Sequence, residues 1–92
     1  MDKPIPNIFK AFCDNNRIDI LRKLTTGEKN AHELLEGTRL AQPTLSYHMK
    51  ILCDSGLVVC TKIGTSMYYS IDKDGVQYAQ NIFKNLTTES IK

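Results

Sequence analysis

The 92-residue sequence has no tryptophan, only three prolines and three cysteines, and no long apolar stretch. Its longest unbroken apolar run is Leu57-Val58-Val59-Cys60, far short of the ~20 residues that span a bilayer, so no membrane partner is expected. The start, Met1-Asp2-Lys3-Pro4-Ile5-Pro6, carries an acid and two prolines where a secretion signal needs an apolar segment. A cytoplasmic location is the expectation. Cys13, Cys53 and Cys60 are odd in number and lack C-x-x-C spacing, which disfavours a disulfide framework or a zinc ribbon. Free thiols in a reducing compartment are the simpler reading. Enzyme motifs are missing as well: there is no G-x-S-x-G, H-E-x-x-H, G-x-x-x-x-G-K-[ST] or G-x-G-x-x-G. We therefore expect no catalytic residues and no cofactor. Asp72-Lys73-Asp74-Gly75 opens like a calcium loop but lacks the later ligands, and an aspartate cap at a helix start explains it better.

What is present is small and unevenly charged. A chain of this length makes one domain, spanning residues 1–92, with a thin core. The net charge is +2. Residues 1–37 carry six Lys/Arg and six Asp/Glu, and residues 72–92 carry three of each. The whole excess falls in residues 38–71, where Arg39, Lys50 and Lys62 face only Asp54. A basic middle on a neutral scaffold hints at a polyanionic partner.

Apolar spacing predicts five helices and a hairpin. Ile5, Ile8, Phe9 and Phe12 form one face of a short first helix over about residues 6–13. After Asp14-Asn15-Asn16, a second helix should turn Ile18, Leu21 and Leu24 inward and Arg17, Arg22 and Lys23 outward. Asn30 is placed to cap a third, Ala31 to Glu36, which Gly37 ends. A fourth buries Leu45, Met49 and Leu52, tolerates Pro43 in its first turn and stops at Gly56. The period then changes to two. Leu57–Ile63 and Ser66–Ile71 flank Gly64-Thr65, which fits a type II′ hairpin pairing Val58 with Ile71, Cys60 with Tyr69 and Lys62 with Met67. A last helix over about 73–86, capped by Asp72 or Asp74, carries Val76, Ala79, Phe83 and Leu86 as a stripe with Ile82 beside it, and the tail beyond should fray. The fold class is mainly α with a small β-hairpin, a winged helix-turn-helix in the order α-α-α-α-β-β-α. Its helix-turn-helix covers about 30–54 and its wing about 57–71.

These residues carry a family resemblance over roughly residues 8–72. Asp14-x-x-Arg17-x-x-Ile20-Leu21 resembles the D-x-x-R-x-x-I-L opening of the ArsR/SmtB family of bacterial repressors. Gln42-Pro43-Thr44-Leu45-Ser46-Tyr47-His48-Met49-Lys50-Ile51-Leu52 resembles that family's recognition helix, and Gly56-Leu57-Val58, Gly64 and Tyr68-Tyr69-Ser70-Ile71 its wing. The chain has Ala41 where the family usually has Ser, so this helix loses its side-chain cap. It has Arg39 where the family usually has Gly, so the turn relies on Gly37. The resemblance implies a homodimer on double-stranded operator DNA.

With Leu45, Met49 and Leu52 inward, Pro43, Tyr47, Lys50 and Asp54 face outward, and Gln42, Thr44 and Ser46 sit at the end that touches bases. Glutamine pairs bidentately with adenine, and a threonine methyl meets a thymine methyl. The expected DNA-binding set is Arg39, Gln42, Thr44, Ser46, Tyr47, His48, Lys50, Lys62 and Thr65. For His48 two roles stand open, a phosphate contact or a half-buried lock against a neighbouring helix. The expected dimer interface is Ile5, Ile8, Phe9, Phe12, Ala79, Ile82, Phe83 and Leu86, more terminal apolar surface than so thin a core needs.

No metal site is expected. The family's arsenic and cadmium sensors place C-x-C at the start of the third helix, where this chain has Asn30 and His32; its zinc sensors use Asp and His on the last helix, and residues 73–86 contain no histidine. The cysteines read as small core hydrophobes. The alternatives left open are a cysteine- or metal-responsive repressor of the same family and a winged-helix protein-interaction module.

Overall fold

The computed structural model describes residues 4–89. The elements run α1 (Ile5–Lys10), α2 (Asn15–Leu24), β1 (Lys29–Asn30), α3 (Ala31–Leu35), α4 (Gln42–Asp54), β2 (Val58–Ile63), β3 (Ser66–Ile71) and α5 (Lys73–Thr87). The mainly helical winged helix-turn-helix is the fold the sequence predicts, with one element added. The strand β1 is two residues long and pairs antiparallel with β3, giving a three-stranded sheet in the order β1-β3-β2. Lys29-Asn30 shows no alternation, since two residues cannot, so only the partner strand reveals it.

Local chemistry sets the element ends. The Asp14 carboxylate accepts from the Asn16 N–H at 2.8 Å and starts α2. Asn30 and Glu33 form a reciprocal capping box at α3, at 2.8 and 2.9 Å. Asp72 accepts from the N–H groups of Asp74 and Gly75, both at 3.1 Å, and opens α5. Gly37 adopts φ +75° just beyond α3, a backbone that a side chain resists. In the wing, Gly64 has φ +64° and no non-glycine residue has positive φ, as a type II′ turn requires. The β2–β3 register pairs Val58 with Ile71, Cys60 with Tyr69 and Lys62 with Met67, as the alternation predicts.

The core gathers Ile20 and Leu24 of α2, Leu34 of α3, Leu45, Met49 and Leu52 of α4, and Leu57, Val58 and Tyr69 of the wing. Each such side chain contributes roughly 1.5–3 kcal/mol on burial. Burial pushes the Tyr69 phenol above its ordinary pKa, because a phenolate there would lose its water.

Several expectations need correction. Arg17, expected outward, is only 5% exposed, and Ile20 rather than Ile18 joins Leu24 in the core. The cause is non-local: a guanidinium is buried when partners await it, and His48 lies 31 residues ahead. Helix α1 ends at Lys10, short of 13, because Phe12 and Cys13 close onto Phe9 and Lys10 by turn bonds of 3.0 and 3.1 Å. Helix α5 runs through Thr87, one residue past its expected end, and residues 90–92 of the tail expected to fray lie outside the described residues. The free-thiol reading fails for two of three cysteines. Cys53 and Cys60 are joined as a disulfide, with Cα atoms 6.5 Å apart, while Cys13 is free and exposed rather than a core hydrophobe. The joint Ser55–Leu57 folds the end of α4 back beside β2, and that proximity is invisible in cysteine spacing.

Candidate nucleic-acid interface

The placement of α4 is held from three sides. Leu45, Met49 and Leu52 are at most 2% exposed and fix one face in the core. His48, 4% exposed, receives the Arg17 guanidinium on Nδ1 at 3.0 Å, and a second Arg17 nitrogen donates to the Lys10 carbonyl at 3.0 Å. With Nδ1 accepting, the neutral ring carries its proton on Nε2, which points towards Asp14 at 4.0 Å. One buried group thus ties α1, α2 and α4 together. Of the two roles open to His48, the buried ring and the bond it accepts from Arg17 support the lock. Behind the turn, Lys23 donates to the carbonyls of Leu34 and Glu36 at 3.1 and 3.0 Å, closing α3 from the side of α2.

The opposite face of α4 is free. Gln42, Pro43, Thr44, Ser46, Tyr47 and Lys50 are all exposed. Tyr47 keeps 59% of its surface in solvent, with its ring 5.4 Å from that of His48. Lys50 pairs with Asp54 at 3.3 Å, but both side chains are more than half exposed, so the pair is weak and can part. Ala41 supplies no side-chain cap, as its residue type predicts, and the first helical bond is Leu45 N–H to the Ala41 carbonyl at 3.0 Å. The N–H groups of Gln42 and Thr44 therefore stand at an open, electropositive helix end beside the candidate base-reading side chains. Arg39 is exposed in the turn before this end. Lys62 and Thr65 are exposed at the far tip of the hairpin. Among the described residues neither Arg39 nor Lys62 has an ion pair. A convex polar helix with its positive end bare, flanked by cations on a turn and a wing, is shaped for the groove and backbone of a duplex.

A second surface lies on α1, α2 and α5. Ile8, Phe9 and Phe12, Ile18 and Leu21, and Val76, Ala79 and Phe83 line an open apolar groove of about 860 Å³. Phe9, Phe12, Phe83 and Leu86 are 39–59% exposed, and the only buried residue of α5 is Gly75. Of the expected interface residues, Ile8 is already buried in the groove floor, Ile5 is 38% exposed and Ile82 is half-buried. Ile18, expected in the core, instead forms the groove's third wall with Leu21, which also packs against the core as its spacing predicts. The rotation of Ile18 follows from Arg17 taking the inward direction of α2.

Among the described residues no three His, Cys, Asp or Glu side chains come together as a metal cluster, and no helix is long and apolar enough to cross a membrane. Asn30 is engaged as the cap of α3, and His32 is exposed.

A family model described as bacterial regulatory protein, arsR family, matches residues 14–59, from the Asp14 cap through the recognition helix into the wing. The chain is 40% identical over 76 residues to the arsenical resistance operon repressor of Staphylococcus xylosus, covering 83% of this chain and 73% of that protein. It is 30% identical over 79 residues to the transcriptional repressor SdpR of Bacillus subtilis strain 168, covering 86% and 88% respectively. A crystal structure of an ArsR family transcriptional regulator superposes with a TM-score of 0.80 at 26% identity, over 89% of this chain and 90% of that one. The chain belongs to the arsR family of bacterial regulatory proteins, and is a DNA-binding transcriptional repressor rather than an enzyme.

Proposed function

We propose that the protein is a homodimeric repressor that reads an operator through α4 and is not governed by the family's usual metal sites. The observation that carries this reading is the bare polar face of α4, from Gln42 to Lys50, at an uncapped helix end. Gln42, Thr44, Ser46 and Tyr47 read bases or sugars, Lys50 and Arg39 hold phosphates, and Lys62 and Thr65 bring the wing to the neighbouring backbone. His48 acts from behind as the lock that sets the helix angle. The dimer forms through Ile5, Phe9, Phe12, Ala79, Ile82, Phe83 and Leu86, with Ile18 and Leu21 at its centre. An apolar groove with aromatic rims, left uncovered along α5, supports that assembly.

Metal independence is supported by the ligand positions. Asn30 offers an amide already spent on capping, His32 stands alone, and α5 has no histidine. Such a protein works in the cytoplasm, where its DNA is.

Selection of bound duplexes from a random pool tests the reading. The expected product is a twofold-symmetric site with half-sites about one helical turn, ~34–36 Å, apart, bound by two chains. Failure to enrich any duplex refutes it.

A further inference from the structure

Cys53 and Cys60 belong to neither surface described above, and their placement is specific. Cys53 lies in the last turn of α4, next to the fully buried Leu52, and Cys60 is in β2 opposite Tyr69. Strand alternation puts Cys60 on the face of the buried Val58, turned back towards α4. The joint between them is pinned: the Ser55 hydroxyl donates to the Leu52 carbonyl at 2.6 Å and accepts from the Leu57 N–H at 3.2 Å. The Cα separation of 6.5 Å is within the range a disulfide bridges without backbone movement.

The geometry points to a modification site: we propose that Cys53 and Cys60 are a reversible dithiol–disulfide couple, oxidised by small-molecule disulfides, that locks the recognition helix to the wing and raises operator affinity. The coupling to affinity rests on the DNA reading above. The chemistry rests on the pair itself. A protein working on DNA works in a reducing compartment, where disulfides are transient rather than permanent staples. Both cysteines are half-buried, so a small disulfide can reach them. No third His, Cys, Asp or Glu joins them among the described residues, so they lack the four-ligand set of a structural zinc.

The exchange balances in two steps. One cysteine thiolate attacks a sulfur of the small disulfide, forming a mixed disulfide and expelling one small thiolate. The second cysteine thiolate then attacks the protein sulfur of that mixed disulfide, closing the Cys53–Cys60 bond and expelling the other. The protein gives up two electrons and two protons, and the small disulfide leaves as two thiols.

The bond spans the joint between the two DNA-facing elements. Gln42 to Lys50 lie on one side of it, and Lys62, two residues beyond Cys60, on the other. With the thiols reduced, no covalent bond ties the wing to α4, and hydrogen bonds at the joint with core packing hold it there. With the bond closed, the wing is fixed in the orientation seen here, and less order remains to be imposed when duplex binds.

Treat the full-length protein with oxidised or reduced glutathione, count thiols by alkylation and mass, and measure affinity for a selected duplex. Oxidised wild type should lose two alkylatable thiols to the Cys53–Cys60 bond, with the exposed Cys13 free or carrying one glutathione by mass, and Cys13→Ser should keep no alkylatable thiol and carry no glutathione. Both should bind the duplex at least threefold more tightly when oxidised. Cys53→Ser/Cys60→Ser should bind equally in either buffer; Cys60→Ser alone, checked for native circular dichroism, guards against misfolding of the double variant. Three alkylatable thiols after oxidation would overturn the couple, and a closed bond with unchanged affinity would overturn its coupling to DNA. Reduced wild type that binds no duplex refutes the DNA reading and the coupling with it, while the thiol count still decides the couple.

Discussion

Arg17→Ala is the substitution whose cost can be worked out most fully. Arg17 is 5% exposed and holds His48 Nδ1 and the Lys10 carbonyl, each at 3.0 Å. The Lys10 carbonyl ends α1 near solvent, so water can replace that bond at little cost. His48 is 4% exposed, and its ring nitrogen would be left without a partner, a loss of about 1–3 kcal/mol. Deleting the buried stem removes roughly two methylenes' worth of apolar contact, about 1.6 kcal/mol at 0.8 each. Against this, the wild type already tolerates one buried Arg17 nitrogen, Nε, without a partner, and its removal returns part of the desolvation cost. The net expectation is about 3 kcal/mol of lost stability, a fall in melting temperature of roughly 12–24 °C at ~4–8 °C per kcal/mol. Arg17→Met keeps the stem and should lose about half as much. Urea unfolding of both variants, with His48→Ala and the double variant Arg17→Ala/His48→Ala, checks this. The coupling energy between the two sites should be about 1–3 kcal/mol. Single-variant losses under about 0.5 kcal/mol, or zero coupling, would refute the lock.

Gly75→Ala should destabilise by at least 1–3 kcal/mol, because a Cβ there would overlap the Gly56 carbonyl and push α5 off the joint; thermal unfolding measures it. Phe83→Asp places a charge on the rim of the apolar groove, and at the proposed dimer interface an unpaired buried charge costs several kcal/mol; sedimentation should report a dimer for the parent and a monomer for the variant. Arg39→Ala and Lys62→Ala should each weaken duplex binding about equally across sequences and lower the slope of log affinity against log salt by about 1 per site, read by titration at several salt concentrations.

The periodic parts of the fold were legible in the sequence. Leu45, Met49 and Leu52 recur at helical spacing, and β2 and β3 alternate around Gly64-Thr65, so element types and even the hairpin register follow from local pattern. The exposed face of α4 followed too, as the complement of its buried stripe. What escaped depends on contacts far along the chain. Arg17 looks like a surface residue because charge is normally solvated, and the reason for its burial is His48, on another helix. Once Arg17 turns inward, Ile18 rotates to the groove, although hydrophobicity alone assigns it to the core, while Leu21 bridges core and groove. Strand β1 exists because β3 offers it an edge. The Cys53–Cys60 pairing depends on how sharply the chain reverses at Ser55–Leu57, and cysteine spacing carries no record of that.

The central claim, that the exposed face of α4 reads sequence, is tested most directly by the affinity of Gln42→Ala and Tyr47→Ala for a selected operator and for an unrelated duplex of equal length. Both side chains are solvent-exposed on α4, so their removal leaves the core untouched. Each substitution should cost about 1–3 kcal/mol on the operator, and together they should weaken it more than tenfold. Binding to the unrelated duplex, which depends on phosphate contacts, should stay the same. Operator affinity equal to that of the parent protein in the double variant would contradict the account and place sequence recognition elsewhere on the molecule.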